Sequence, residues 1–111
     1  MMIIDSHCHL TFKNDFEKID DIIKNANEVG VYKFLNISTN FNEFEDIINV
    51  SKKYKEIYYT LGIHPHEASQ MDKGIIDEIK KYVNDPKLLA IGETGLDFYY
   101  NHSDKKTQIE S

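Results

Sequence analysis

The sequence predicts an α/β protein built on a parallel β-sheet, and two observations support this fold class. Four short apolar runs have the length and composition of buried parallel strands. The segments between the runs repeat apolar residues at helical spacing, so the predicted order is βαβαβαβ. This alternation requires right-handed crossovers, either in an open doubly wound sheet or in an arc of a (β/α)8 barrel.

The predicted strands are short and end close to polar residues. They are Met2 to Asp5, Val31 to Ser38, Ile57 to Ile63 and Leu88 to Gly92. The carboxyl ends of parallel strands meet at one edge of a sheet, where barrels and open sheets both place their active sites. The polar residues that follow the strands are therefore expected to lie close together.

Three complete helical patterns separate the strands. The first is formed by Phe16, Ile19, Ile22, Ile23, Ala26 and Val29. Asn14 or Asp15 is its expected N-cap, and Gly30 is placed to end it. The second, weaker pattern is formed by Phe44, Ile47, Ile48 and Tyr54. The third is formed by Ile75, Ile76, Ile79, Tyr82 and Val83, before Asp85-Pro86.

Length indicates a single partial domain over residues 1–111. A closed barrel needs about 250 residues, so four strands and three complete helices make about half of one. Residues 103–111 predict the first turns of a fourth helix without a C-terminal signal. Such a half-barrel would expose unpaired strand edges and part of its core, which predicts self-association or instability.

Charge and cysteine content restrict the class of function and the compartment. The net charge is −6, and all 13 basic residues are lysine, which disfavours binding to duplex DNA by charge alone. Bound divalent ions would still allow an acidic chain to act on phosphate esters. No apolar stretch is long enough for a membrane span, and the single cysteine fits a reducing compartment, so the chain is expected to be cytoplasmic.

The most informative pattern is His7-Cys8-His9, directly behind the first apolar run. Residues i and i+2 of an extended strand project to the same face, so both imidazoles can bind one cation. Cys8 then points the other way and is expected to pack as a small apolar side chain rather than to act as a ligand. Two solvated histidines are the alternative for this pattern taken alone.

Two further groups of polar residues follow later strands. Glu93 comes directly after the fourth strand and is the predicted third ligand, able to bridge two ions, while Gly92 and Gly95 permit a tight backbone path around it. A rim glutamate paired with lysine is the simpler alternative. His64-Pro65-His66 follows the third strand and is stiffened by proline.

Substrate contacts are predicted for residues outside the first ligand set. Because His7, His9 and Glu93 already form such a set, we expect His64 to contact substrate, with a weaker expectation for His66. A second metal pair and an exposed turn are the alternatives for these two histidines. Asp97 is expected to shape the substrate site, although an aspartate in this position is commonly a local cap.

The three motifs, in this order, resemble the signatures of TatD-family metal-dependent hydrolases. They are Asp5-Ser6-His7-Cys8-His9, Gly62-Ile63-His64-Pro65-His66 and Gly92-Glu93-Thr94-Gly95-Leu96-Asp97-Phe98-Tyr99. The resemblance spans the whole chain but only the N-terminal half of the family's barrel. It implies a TIM-barrel hydrolase that uses one or two divalent ions to cleave phosphodiesters, with deoxyribonuclease activity, often exonucleolytic, in some members.

The resemblance also implies specific roles and a specific gap. His7 and His9 would hold one ion, and Glu93 would bridge and take part in catalysis. The family draws two histidines and an aspartate from later strands, and this chain has no residues in matching motifs. His102 is outside the motifs and is expected to be solvated. Ligand type suits Zn²⁺ or Mn²⁺, with Mg²⁺ as a third option.

Two other functions fit parts of the same pattern. A His-x-His motif behind the first strand also occurs in binuclear amidohydrolases that cleave C–N or ester bonds, although the later two motifs favour a TatD-like phosphodiesterase acting on DNA. The absence of the second half-barrel also suits a non-catalytic fragment that retains a weak metal site.

Overall fold

The computed structural model describes residues 1–12 and 18–111. Its four parallel strands are β1 (Ile3–Cys8), β2 (Val31–Asn36), β3 (Ile57–Leu61) and β4 (Leu88–Ile91). The strands lie side by side in chain order, β1-β2-β3-β4. This arrangement confirms the predicted parallel sheet.

Helices connect the strands as predicted. The connecting helices are α1 (Ile19–Glu28), α2 (Phe44–Lys53) and α3 (Lys73–Lys80), and α4 (Lys105–Glu110) follows β4. Short 3₁₀ helices cover Phe41–Glu43 and Pro65–Gln70. Gly30 follows α1 with a φ of +94°, a conformation that favours glycine and ends the helix as expected. The expected N-cap at Asn14 or Asp15, and Phe16 of the first stripe, lie outside the described residues.

Several predicted boundaries were wrong, and β1 is the most important case. The prediction ended β1 at Asp5, whereas the strand continues to Cys8 because Cys8 pairs with Asn36 and its carbonyl accepts a hydrogen bond from Ile37 N. β2, β3 and β4 instead end one or two residues earlier than predicted. α3 ends at Lys80, so Tyr82 and Val83 lie in the turn before β4.

The core fills the space between the sheet and the helices in two clusters. One combines α2 and α3 with β3, and contains Phe44, Ile47, Ile48, Tyr59, Leu61, Ile63, Ile75 and Ile79. The other lies between helices α1 and α2 and strands β2 and β3, and contains Leu10, Ile19, Ile23, Phe34, Val50 and Ile57. Ile22 and Ile76, which were predicted to join these stripes, are partly exposed because each lies about 100° around its helix from a buried isoleucine.

Both edge strands carry exposed apolar side chains. Ile4 of β1 is 59% exposed, and Leu89 and Ile91 of β4 are 57% and 55% exposed. An unpaired strand edge with apolar side chains is a surface that other polypeptide tends to cover. The expected exposure of the half-barrel edges is therefore present in the structure.

Within 1–12 and 18–111, no helix combines the length and apolar character required to cross a bilayer.

Candidate metal centre

β1 brings the two histidines of the first motif to the carboxyl edge of the sheet. His7 lies within β1 and His9 directly after it, which corrects the expectation that both follow the strand. Their ring centroids are 5.1 Å apart, as expected for side chains two residues apart on an extended segment. The imidazoles therefore lie side by side, where one ion can contact both.

Glu93 reaches this edge because the backbone after β4 crosses over the end of β3. Gly92 N donates to Leu61 O, and Glu93 N then donates to Ser38 O beyond β2, each at 3.0 Å. Gly62 lies under this crossing, and a Cβ on it would be 2.5 to 2.7 Å from backbone atoms of Gly92. The close approach therefore occurs at Gly62, whereas a Cβ on Gly92 would meet nothing within 4 Å, contrary to the expectation for Gly92.

Two buried hydroxyls hold the crossing segment, and their role was not predicted. Ser38 Oγ donates to Gly62 O at 2.9 Å and accepts a bond from Gly62 N. Thr60 Oγ1 donates to Gly92 O at 2.7 Å. The one pattern that could have indicated this role was a polar residue inside a predicted buried strand. Ser38 and Thr60 thus hold the backbone that carries Glu93.

His7, His9 and Glu93 form a group able to hold a metal ion. One ligand atom from each lies within 4.8 Å of the others, and His7 Nε2 is 3.5 Å from Glu93 Oε2. Ligands of one tetrahedral Zn²⁺ lie roughly 3.4 Å apart, given bonds of about 2.0 to 2.2 Å. Small side-chain rotations would bring the set to that spacing. Two imidazoles and a carboxylate are also donors that Zn²⁺ and Mn²⁺ accept.

The backbone sets the orientation of the His9 ring. His9 Nδ1 lies 3.0 Å from Ile37 O, and a carbonyl can only accept, so Nδ1 carries the proton. The lone pair of a neutral ring is then on Nε2. Metal-binding histidines characteristically donate their other ring N–H in this way, so the contact fits a ligand role.

His64 lies next to Glu93 but offers it a donor rather than a lone pair. His64 Nδ1 accepts a hydrogen bond from His66 N and caps the 3₁₀ helix that begins at Pro65. Burial lowers the pKa of His64, which keeps the ring neutral near pH 7 with its proton on Nε2. Nε2 is 3.5 Å from Glu93 Oε1. Its N–H can therefore serve an anionic group at the site.

His66 and Asp97 form a second pair beside the cluster. His66 Nε2 is 2.8 Å from Asp97 Oδ2, and this hydrogen bond lowers the pKa of Asp97, aided by bonds from Tyr99 N and Tyr100 N. Asp97 is thus a local cap as well as a partner of His66. Buried Gln108 holds both backbone groups of Asp97 through its side-chain amide.

His102 and Cys8 are the remaining residues whose environment was predicted. His102 is exposed, as expected, and its ring centroid is 4.4 Å from that of His66. Cys8 packs against the core as expected, and its Sγ donates to Leu35 O. Burial, with a smaller contribution from the charge of Asp5, raises the pKa of the Cys8 thiol to about 12.

The fold and the cluster define the class of the chain: a (β/α)-barrel protein with a candidate metal site at the carboxyl edge of its strands. Residues 4–111 match the family model described as TatD related DNase, and the chain belongs to this family. The resemblance noted in the three sequence motifs is thereby confirmed.

Two similar proteins agree with this family assignment and show how much of their length the chain covers. The chain is 38% identical to an uncharacterized metal-dependent hydrolase of Buchnera aphidicola from Acyrthosiphon pisum, covering 97% of this chain and 44% of that protein. It is 33% identical to the 3′-5′ ssDNA/RNA exonuclease TatD of Salmonella typhimurium, covering 96% and 41%. The chain therefore spans less than half the length of these relatives.

Solved structures give the same fold and the same coverage. A TatD family hydrolase from Entamoeba histolytica superposes with a TM-score of 0.85 at 29% identity, over 99% of this chain and 43% of that one. A TatD homolog from Escherichia coli K12 shares the fold, with a TM-score of 0.84 at 24% identity over 96% and 42%. The predicted half of a TIM-type barrel is confirmed.

Proposed function

We propose that this chain supplies the first ligand set of a divalent-metal-dependent hydrolase that cleaves phosphodiester bonds in single-stranded DNA. The observation that carries the proposal is the grouping of His7, His9 and Glu93 at the carboxyl edge of the sheet in a TatD-family chain. The name of the Salmonella relative, a 3′-5′ ssDNA/RNA exonuclease, supports the choice of nucleic acid as substrate.

In this proposal His7 and His9 would hold one ion, and Glu93 would serve as a further ligand and as a catalytic group. The donor set suits Zn²⁺ or Mn²⁺ better than Mg²⁺, which prefers oxygen ligands. A bound ion of this kind lowers the pKa of water and offsets charge on phosphoryl oxygens. The protein's own part is to fix Glu93 through the Ser38 and Thr60 contacts and the His9 ring through Ile37.

Substrate phosphate is the proposed partner of His64 and His66, and Asp97 is proposed to shape the substrate site by orienting His66. The neutral His64 ring has its N–H near Glu93, so it can donate to a phosphate oxygen placed between them. The His66–Asp97 pair stiffens the adjacent loop, and its carboxylate orients the His66 ring. Hydrogen-bond donors and, when bound, the ion would thus offset the negative charge of the phosphate. An acidic chain can therefore bind a phosphate ester at this site.

The test is cleavage of end-labelled single-stranded DNA with Mn²⁺ by a full-length barrel that contains this chain, because the chain alone has only the first ligand set. We expect shortened products that disappear with EDTA, return with added Mn²⁺ and are absent for His9→Ala purified in parallel. A cyclic amide substrate in the same series tests the amidohydrolase alternative. Absence of DNA cleavage, or equal cleavage by His9→Ala, would contradict the proposal.

Self-association through the exposed edges of β1 and β4 belongs to the same proposal. Covering Ile4, Leu89 and Ile91 removes apolar surface from water and pairs two open strand edges. We expect sedimentation equilibrium to give an assembly larger than 13.0 kDa, and Leu89→Lys with Ile91→Lys to shift it toward the monomer. A thermally stable wild-type monomer would overturn this part.

A cytoplasmic location is also proposed, because the single cysteine fits a reducing compartment.

A further inference from the structure

A row of aromatic rings extends outward from the candidate metal centre. It begins at His64, which contacts Glu93, and continues to His66, whose ring centroid lies 4.4 Å from that of His64. From His66 it reaches His102 at 4.4 Å and Tyr100 at 5.7 Å. Tyr99 is the outermost ring, 4.8 Å from Tyr100.

The outer part of this row is open to solvent. Tyr99 is 83% exposed and Tyr100 is 63% exposed, although both are among the larger amphipathic side chains. The rings of Tyr100 and His102 are nearly parallel, with an angle of 24° between their planes and centroids 6.0 Å apart. Adjacent exposed rings of this kind provide flat faces at a low cost in conformational entropy.

The backbone around these rings is held in place. Asp97 accepts hydrogen bonds from Tyr99 N and Tyr100 N, and Ser103 Oγ donates to His66 O at 3.0 Å. Gln108 ties the ends of the segment together by donating to Asp97 O and Ser103 O. The loop thus presents its rings from a fixed frame.

A lysine lies at the same surface. Lys105 Nζ is 5.1 Å from the ring centroid of Phe98, directly beside Tyr99 in the chain, and Lys106 follows it on α4. Exposed rings with a lysine nearby are features by which proteins bind single-stranded nucleic acid, with rings stacking on bases and cations meeting phosphates. Lys105 is that lysine here, whereas Lys106 pairs with Glu110.

We propose that Tyr99, Tyr100 and His102 form a base-stacking surface that binds single-stranded nucleic acid next to the metal centre. The inference rests on the proposed function for its substrate class and assigns these three residues to the bases rather than to the scissile phosphate. Stacking faces accept every base, so binding is expected to depend on the presence of bases and little on their identity.

The test measures binding without catalysis. Fluorescence anisotropy follows titration of labelled dT10, and of an abasic strand of equal length and charge, with the chain in EDTA at low salt. We expect the wild type to bind dT10 about tenfold more tightly than the abasic strand, and Tyr100→Leu to remove this difference. Tyr100→Phe should retain it, and so should Tyr32→Leu, which changes an exposed tyrosine near the amino end of β2.

The outcomes separate this inference from the proposed function. Equal binding of the two strands by the wild type, or a dT10 preference that survives in Tyr100→Leu, overturns the stacking surface even if metal-dependent cleavage occurs. A base preference lost only in Tyr100→Leu supports the surface even if no cleavage is found. Far-ultraviolet circular dichroism of each variant identifies any loss of binding caused by unfolding.

Discussion

Glu93→Gln is expected to weaken Zn²⁺ binding by at least about 100-fold. Loss of a group outside the ligand shell typically costs 10- to 100-fold in metal affinity, so loss of a direct carboxylate ligand should reach at least the upper end of that range. Glutamine keeps the size of the side chain but removes the charge that the ion would meet. Isothermal titration calorimetry of both proteins measures the change.

Glu28→Gln is the matched control for this prediction. Glu28 ends α1, on the side of the sheet where β2 begins, so it lies at the edge opposite the cluster. The control removes the same charge and should leave the affinity unchanged. A loss of less than threefold in Glu93→Gln, or an equal loss in Glu28→Gln, would mean that Glu93 is not a ligand.

Gly62→Ala is expected to destabilise the fold by at least about 3 kcal/mol, at the upper end for overpacked sites. The added Cβ would lie 2.5 Å from the carbonyl carbon of Gly92, and backbone atoms cannot rotate away from it. Relief requires the crossing segment to lift from β3, which breaks the Thr60 and Ser38 bonds and displaces Glu93. Urea denaturation measures the stability, and calorimetry should show weaker Zn²⁺ binding as well.

Gly92→Ala is the control from the other side of the same contact. A Cβ on Gly92 has nothing within 4 Å, so this variant should lose less than about 1 kcal/mol. Comparison of the two variants therefore shows whether stability is lost through the steric contact of an added Cβ at Gly62 or through the replacement of a glycine as such. Similar losses in the two variants would contradict the account of the crossing segment.

Much of the fold could be predicted because the chain alternates its patterns clearly. The apolar runs of β2 and β3 and the stripe that buries Ile75 and Ile79 follow from local periodicity alone. Strand ends were less accurate because they depend on a neighbour. β1 extends to Cys8 because Asn36 of β2 and the next residue, Ile37, are its partners. The apolar pattern of β1 does not indicate that pairing.

The site was predictable in outline, because each proposed ligand follows or ends an apolar run. His7, His9 and Glu93 do meet at one edge, while their role as ligands stays a prediction. The support around them was not predictable. Ser38, just after β2, and Thr60 of β3 act through buried hydroxyls, and a single serine or threonine in an apolar run does not indicate such a bond.

Tertiary contacts over long separations explain the remaining differences. His66 and Asp97 are 31 residues apart, and only the alignment of β3 with β4 brings them together. His102 contacts His66 because the loop after β4 folds back over the first turn of the 3₁₀ helix at Pro65. The open space beside Gly92 and the close contact at Gly62 likewise arise because the segment after β4 crosses over the end of β3.

His7, His9 and Glu93 are expected to bind a divalent metal, and zinc K-edge X-ray absorption of the Zn²⁺-loaded chain reports on the ligands of the ion. We expect a shell of nitrogen and oxygen at about 2.0 to 2.1 Å with outer scattering from two imidazoles, and no sulfur. A sulfur shell at about 2.3 Å would assign Cys8 to the metal and contradict the packing of its thiol. A spectrum without imidazole scattering would contradict the site itself.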